Sequence, residues 1–507
     1  MEKTIAVQMK NITKTFGSVA ANSKVNLDIR RGEILSLLGE NGSGKTTIMN
    51  MLAGIYYPDS GQIFVDGKEV SIRSPKDAYD LGIGMVHQHF KLVDVFTAAE
   101  NVALGINSRK KFNKKEIASK IDEICKKYGF EVEPNQKVYN MSVSQKQTLE
   151  IVKVLYRGAD ILILDEPTAV LTPQETEKLF GIIRNMKADG KSVVIITHKL
   201  HEVLEISDRV SILRKGEYIG TVKTENATEL SLTEMMVGKK VSLNIERPLP
   251  VNPKKMIEVK GLTCKNKGGN IVLNDISFEA YGGEILGIAG ISGCGQKKLL
   301  EAIAGLQKVE NGEILFESEN GVTNLVGKTP RAIQKLGVGL SFVPEDRLGM
   351  GLVGTMGMTG NMMLKSYRNG KSPFIETKDP KKLSEKIKDE LDVVTPSLKT
   401  PVKTLSGGNV QKVLVGREIA ASPRLLMTAY AVRGLDINTS YSIYRLLNDQ
   451  KKKGVSVIYV GEDLDVLLEL SDRIMVLCSG RVNGIVDARK TTKEEVGLLM
   501  TNLKEDK

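Results

Sequence analysis

The chain has 507 residues, 41% of them hydrophobic, and carries 72 Lys and Arg against 61 Asp and Glu for a net charge of +11. No run approaches the ~20 apolar residues of a membrane span. The four cysteines (Cys125, Cys264, Cys294, Cys478) show neither metal-site spacing nor a disulfide framework, and Met1-Glu2-Lys3-Thr4 begins no apolar signal segment, so the expectation is an intracellular chain.

Taken in chain order, the first notable residue is Phe16 in Lys14-Thr15-Phe16-Gly17. As an isolated aromatic it would be core; 23 residues (39 − 16) ahead of the loop described next, it is placed to stack on a base. Gly32-Glu33-Ile34-Leu35-Ser36-Leu37-Leu38 reads as a buried parallel strand, and Thr46-Thr47-Ile48-Met49-Asn50-Met51-Leu52 continues at helical period. Between them, Gly39-Glu40-Asn41-Gly42-Ser43-Gly44-Lys45-Thr46 is a complete phosphate-binding loop. Its glycines let backbone amides close around phosphate oxygens at a helix N-terminus. Lys45 should reach the β- and γ-phosphates and Thr46 should ligate Mg²⁺, with Gly39, Asn41, Gly42, Ser43, Gly44 and Thr47 lining the nucleotide.

Gln88, after Gly84-Met85-Val86, is suited to bond the metal or the attacking water. The basic run Arg109-Lys110-Lys111 with Lys114-Lys115 is read as a solvated helical face, attraction to anionic lipid or nucleic acid being the alternative. Ile161-Leu162-Ile163-Leu164 forms a strand buried on both faces that delivers Asp165 and Glu166 at its C-terminal end, where open α/β sheets bind ligands. Asp165 is placed for the Mg²⁺ shell and Glu166 for the general base. A further strand, Val193-Val194-Ile195-Ile196-Thr197, ends in His198, read as contacting the γ-phosphate and positioning the water. His87, His89 and His201 are read as structural.

The second half repeats the first with complementary damage. Gly290-Ile291-Ser292-Gly293-Cys294-Gly295-Gln296-Lys297 keeps the loop glycines and loses the lysine, whereas Leu405-Ser406-Gly407-Gly408-Asn409 is intact where the first half reads Met141-Ser142-Val143-Ser144-Gln145. The loops are 290 − 39 = 251 residues apart, and Ser142 and Ser406 are 406 − 142 = 264 apart, so the second copy has about 13 extra residues, expected around Met350–Met363. A period this long means duplicated domains. The expected boundaries are 1–243 and 256–507, with a linker at 244–255 where Pro248, Pro250 and Pro253 break regular structure.

These motifs, in this order, resemble the ATP-binding-cassette family over essentially the whole chain, with Leu405-Ser406-Gly407-Gly408-Asn409-Val410-Gln411-Lys412 as the signature. The resemblance implies an α/β fold class: two tandem P-loop nucleotide-binding domains, each a RecA-like core with an antiparallel β subdomain and a helical subdomain. It also implies head-to-tail cassettes, so that Lys45, Thr46, Gln88, Asp165, Glu166 and His198 meet Ser406, Gly407 and Gly408, with Asp436 beside them. The other site would collect the losses: Gln296, Lys297, Glu345 for Gln88, Ala429 and Tyr430 for Asp165 and Glu166, Glu462 for His198, and Thr172 for Asp436.

Thr168-Ala169-Val170-Leu171-Thr172-Pro173-Gln174-Glu175 and Pro344-Glu345-Asp346-Arg347 are similar to the importers of simple sugars and nucleosides. The run from His87 to Val93 with Thr97-Ala98-Ala99-Glu100-Asn101 is similar to the nucleoside branch. That subgroup implies an ATPase using ATP and Mg²⁺ at the cytoplasmic face of the membrane. Its partners would be two integral-membrane permease subunits, indirectly an extracellular solute-binding protein, and no nucleic acid. A ribose or galactose importer is the near alternative. A soluble tandem cassette acting on ribosomes or nucleic acid, and a non-hydrolysing switch, are the distant ones.

Overall fold

The computed structural model describes residues 4–17, 19–88, 90–104, 113–169, 171–197, 199–238, 245–250, 253–266, 268–291, 293–318, 321–335, 340–367 and 376–501. They fall into two compact units, 1–242 and 243–507. Among the described residues no helix is long and apolar enough to cross a membrane.

The first unit holds a four-stranded antiparallel sheet in the order Val19–Arg30, Ile5–Phe16, Ser60–Val65, Lys68–Val70. Its six-stranded sheet runs Glu217–Lys223, Arg209–Arg214, Ile34–Leu38, Ser192–Ile196, Ile161–Asp165, Ile83–Val86. Only the edge strand Glu217–Lys223 is antiparallel to its neighbour. The central strands are apolar at nearly every position because both faces are covered. Leu35, Leu37, Ile161, Ile163, Val194 and Ile196 pack with the antiparallel sheet and the helix Lys45–Leu52. The alternating residues Ile34, Leu162, Leu164, Val193 and Ile195 pack with the helices Ala98–Ala103, Lys114–Tyr128, Val143–Tyr156 and Pro173–Ala188. Period-two alternation thus divides one sheet between two cores. The predicted strands and the loop helix lie within one or two residues of their expected bounds.

The second unit has the same architecture. Its antiparallel sheet runs Ile271–Tyr281, Lys255–Lys265, Asn311–Ser318, Gly321–Asn324, and its six-stranded sheet Leu340–Val343, Leu425–Ala429, Ser456–Val460, Ile285–Ala289, Arg473–Cys478, Arg481–Asp487. Residues 245–250 are irregular; Arg247 donates to the carbonyls of Leu468 and Ser471, and Asn448 to that of Glu246.

The extra residues of the second copy are not gathered around Met350–Met363. The offset has already grown to 340 − 83 = 257 at the strands Ile83–Val86 and Leu340–Val343. It is 361 − 101 = 260 at Asn101 and Asn361, each of which clamps the N–H and C=O of one loop residue, Val93 and Val353. Six residues therefore precede the strand, three fall in the loop that contains the π-helical turn Arg347–Gly351, and four lie between Asn361 and the signature. Four of the first six lengthen a paired hairpin, where Leu315 faces Asn324 while its counterpart Phe64 faces Glu69, and the three after the strand fall in a surface loop.

Candidate functional site

The loop Gly39–Lys45 runs from a buried strand into the N-terminus of the helix Lys45–Leu52. Gly44 caps that helix at φ +94°, a left-handed conformation, and a Cβ there would collide with the Ala21 carbonyl oxygen and the Asn22 side chain. No side chain caps the helix, so its first amides are directed at whatever the loop encloses. Lys45 is 6% exposed, and its ammonium donates to the carbonyls of Gly39 (2.7 Å) and Glu40 (2.9 Å). Burial pushes its pKa down, against the pull of Glu166, Asp165 and Glu40. The buried Ser43 hydroxyl has no hydrogen-bond partner. Such a nest of amides, ammonium and unsatisfied hydroxyl is chemically suited to a polyphosphate.

Opposite the lysine stand two carboxylates. Asp165 ends its strand, and its carboxyl is pushed up to about 6, chiefly by burial and then by the charge of Glu166, against a hydrogen bond from Thr46. Glu166 occupies the left-handed region at φ +48°, its N–H donating to the Ile196 carbonyl at 2.8 Å. Such a conformation costs a non-glycine residue about 1–2 kcal/mol. It turns the Glu166 side chain out of the strand, where the Gln88 amide donates to it at 3.5 Å. Lys45, Thr46, Gln88, Asp165 and Glu166 thus form one constellation. His198, with the structural reading of His89 and the core of the basic run at 109–111, lies outside the described residues. Below its strand, Glu202 accepts from Thr168 (2.6 Å) and Lys199 (3.0 Å). Lys114 and Lys115 are exposed on a helix, as expected.

Phe16 is 45% exposed, not core. It meets Tyr56 edge-on, with ring centroids 5.2 Å apart, and the Lys14 ammonium lies over its ring. Asp59 fixes the turn by accepting from Lys14 Nζ, Thr15 N and Thr15 Oγ1, which hold its carboxyl down at about 2.

In the second unit the same positions neutralise one another. Lys297 pairs with Glu345 at 3.4 Å, and Arg433 pairs with Glu345 at 2.6 Å and with Glu462 at 3.3 Å. Tyr430 keeps the left-handed backbone of Glu166 (φ +52°), with its hydroxyl pushed up to about 12 by burial. Gln296 donates to the Ile291 carbonyl at 3.1 Å. The signature is better preserved here. Ser406 caps the helix Gly407–Ala420 and accepts from Asn409, and Gly408 lies against Asp436 and Thr439, with Asp436 capping Ile437–Lys452.

Residues 22–169 and 273–428 each match the ABC transporter family. The chain belongs to that family. The ABC chain is 42% identical to the nucleoside import ATP-binding protein NupA of Lactococcus lactis, covering 99% of both chains. It is 42% identical to the guanosine import ATP-binding protein NupO of Bacillus subtilis, over 97% of each. Against the ribose import ATP-binding protein RbsA of Clostridium tetani it is 35% identical, over 98% of this chain and 97% of that one. The ABC chain is therefore an ATP-binding ATPase with two α/β P-loop cassettes. Each carries a RecA-like core, an antiparallel β subdomain and a helical subdomain.

Sequence reasoning on this ABC chain missed Tyr56 and Asp59, which hold the Phe16 turn, and the pairing of Lys297 and Arg433 with Glu345 in the second cradle. The Lys-to-Glu pairing across 48 positions (345 − 297) leaves no local pattern, so only the fold brings it together.

Proposed function

We propose that this chain hydrolyses ATP to energise an importer of nucleosides, purine nucleosides in particular, at the cytoplasmic face of a membrane. The observation that carries the solute is 42% identity, over nearly the whole length, to a relative named for guanosine import. Ribose import, from the 35% relative, is the second reading.

In this proposal the cassettes are 1–243 and 256–507, joined by 244–255, and they pair head to tail. Lys45 and the amides of Gly39, Asn41, Gly42, Ser43, Gly44 and Thr47 hold the phosphates, and Phe16 stacks on adenine. Glu166 takes the proton of the attacking water, with Gln88 and His198 orienting it. Ser406, Gly407, Gly408 and Asp436 close the site from the other half. The donor set of Thr46, Gln88 and Asp165 is all hard oxygen chemistry, which fits Mg²⁺. These residues would hold that ion, which would supply positive charge against the phosphates. Among the described residues, the second cradle is balanced internally by Lys297 and Arg433, which pair with Glu345 and Glu462, and Ala429 and Tyr430 stand where the first has Asp165 and Glu166.

Asp165 gives a pH test. Its folded pKa, about 6, exceeds the usual 3.8, so ionised Asp165 costs the fold stability above pH 6 and the cost is relieved as pH falls. Acid therefore also removes the charge that Mg²⁺ needs. Mg²⁺-dependent ATP binding should weaken as pH drops through about 6 and be flat above 7; an unchanged affinity at pH 5.5 would refute the metal assignment.

Two permease subunits would dock on the helical subdomains, and an extracellular binding protein would deliver solute to them. After Gln88 the first unit exposes Val93 (38%), Val95 (64%) and Phe96 (36%), and after Glu345 the second exposes Leu348, Met350, Val353 and Met356. Apolar residues grouped in this way mark a partner surface. Purified with its native partners, the complex should raise its phosphate release when guanosine-loaded binding protein is added. Stimulation by ribose and not by guanosine would select the second reading. Val95→Asp should uncouple that stimulation while basal turnover stays unchanged.

A further inference from the structure

Just past the acidic strand end of the first unit lies a buried polar cluster. Glu202, on the helix Leu200–Ile206, is 2% exposed, as are Thr168 and Thr197. Its Oε2 accepts from Thr168 Oγ1 at 2.6 Å and from Thr197 Oγ1 at 3.5 Å, and its Oε1 accepts from Lys199 Nζ at 3.0 Å. Lys199 Nζ also donates to the Thr168 carbonyl at 3.1 Å. Thr168, two positions beyond Glu166, is thereby gripped at both its hydroxyl and its carbonyl. Glu166 itself is tied through its N–H to the Ile196 carbonyl. The turn that presents the Glu166 carboxylate is therefore fastened at one end to the strand Ser192–Ile196 and at the other to the helix that follows it.

The second unit builds the same elements without this cluster. At the 264-residue offset, Val432, Gly461, Asp463 and Val466 stand for Thr168, Thr197, Lys199 and Glu202. Val432 and Val466 pack against the apolar core. Tyr430 still adopts the left-handed turn, its N–H donating to the Val460 carbonyl at 3.0 Å. The helix Leu464–Leu470 is capped by Asp463, which accepts from Asp465 N and Val466 N, whereas Leu200–Ile206 starts at Lys199 with no side-chain cap. An uncapped start is the less stable one. Neither turn nor helix thus needs the buried carboxylate to form. Burying a charge carries a desolvation cost, and apolar residues at the same positions are commonly as stable or more so. The costlier arrangement is kept in the half that has Glu166 and is absent from the half that has Tyr430, which points to a role in the reaction and not in folding.

We infer that Glu202 is a positioning residue for ATP hydrolysis: through Thr168, and with Lys199 as its counter-ion, it holds the Glu166 carboxylate aligned on the attacking water. The inference rests on Glu166 as the general base, proposed above. Glu202 takes no proton and forms no bond in the reaction. Its contribution is rigidity, because a base already in line needs no rearrangement at the moment of proton transfer, and small displacements of a catalytic group cost rate steeply.

The test copies the second unit's residues into the first. In the full chain with Mg²⁺ and ATP, Thr168→Val combined with Glu202→Val should lower kcat per ATP-binding chain by about 10–10²-fold while the KM for ATP stays near wild type, the split expected when only transition-state alignment is lost. Thr168→Val alone leaves Glu202 paired with Lys199, so it creates no orphaned charge and should show the same split. Thr168→Ser, which restores the hydroxyl, should recover most of the loss. In a Glu166→Gln background the two valines should slow single-turnover phosphate release no further, because the group they position is already gone. Wild-type kcat in the valine variants would overturn the inference, as would a loss of turnover that only matches a loss of folded protein, or an equal further loss in the Glu166→Gln background. Glu166→Gln alone separates this from the reading beneath it. If it abolishes release while the valine variants are normal, only the positioning role falls; if it releases phosphate at the wild-type rate, the general-base assignment falls as well.

Discussion

Glu166→Gln should lower steady-state phosphate release by about 10²–10⁴-fold, the range for a lost general base, while ATP binding persists. The substitution keeps the volume and hydrogen-bonding reach of the side chain and removes only its capacity to take a proton. The backbone should tolerate it, because the turn at this position is set by the Ile196 carbonyl and not by the carboxylate. Tyr430 adopts the same left-handed turn in the second unit, so the conformation survives a much larger change of side chain. Removing one of two neighbouring carboxylates also relieves the repulsion that helps push Asp165 up to about 6. Metal-dependent ATP affinity should therefore be retained or increased. Equilibrium binding of radiolabelled ATP, beside a phosphate-release assay, reads both quantities. Wild-type release from the variant would remove Glu166 from the role of base, and loss of ATP binding would show that it holds nucleotide.

The parts of the site that were legible in the sequence are those in which chemistry is local. A phosphate loop needs its glycines, lysine and threonine within eight positions, and an acidic strand end needs four apolar residues before Asp165, so each motif announces itself. The duplication was legible for a related reason: strands buried on both faces tolerate little change, and Ile161–Asp165 and Leu425–Ala429 keep their place in the sheet even where the acid is gone. What was hidden depends on residues far apart in the chain. Asp59 reaches back 44 positions to Thr15, and Arg433 spans 88 positions to Glu345. The second cradle read as a set of losses; in the fold its replacements form a paired network, Lys297 to Glu345 to Arg433 to Glu462. The placement of the extra residues was misread for the opposite reason. A glycine- and methionine-rich stretch looks like an insertion, whereas six of the extra positions lie before the strand Leu340–Val343, four of them in a lengthened hairpin whose strands carry no such signature.

Asp472→Ala should destabilise the second unit by about 3–5 kcal/mol, the cost of breaking a buried ion pair from one side. Asp472 Oδ2 accepts from Ile285 N at 2.9 Å, anchoring the start of the central strand, and its Oδ1 pairs with Lys451 at 2.8 Å and Arg489 at 3.3 Å. The Lys451 side chain is 1% exposed, and burial already pulls its pKa down against the favourable charge of Asp472. Without the carboxylate that ammonium would retain the Pro248 carbonyl and face the charges of Arg489 and Arg247. The first unit supplies an internal control at the same 264-residue offset. Asp208 accepts from Ile34 N and pairs with Lys187 at 2.6 Å, but both side chains are 33% exposed. Water can solvate the orphaned Lys187, so the lost ion pair in Asp208→Ala should cost only about 0–1 kcal/mol, beyond the strand-anchoring hydrogen bond common to both variants. Hydrogen exchange on the full chain resolves the two. At 1.4 kcal/mol per decade, amides of Ile285–Ala289 should exchange about 10²–10⁴-fold faster in Asp472→Ala, while those of Ile34–Leu38 change far less in Asp208→Ala. Equal acceleration in the two variants would mean that burial does not set the size of this effect, and that the shared contact with the strand N–H does.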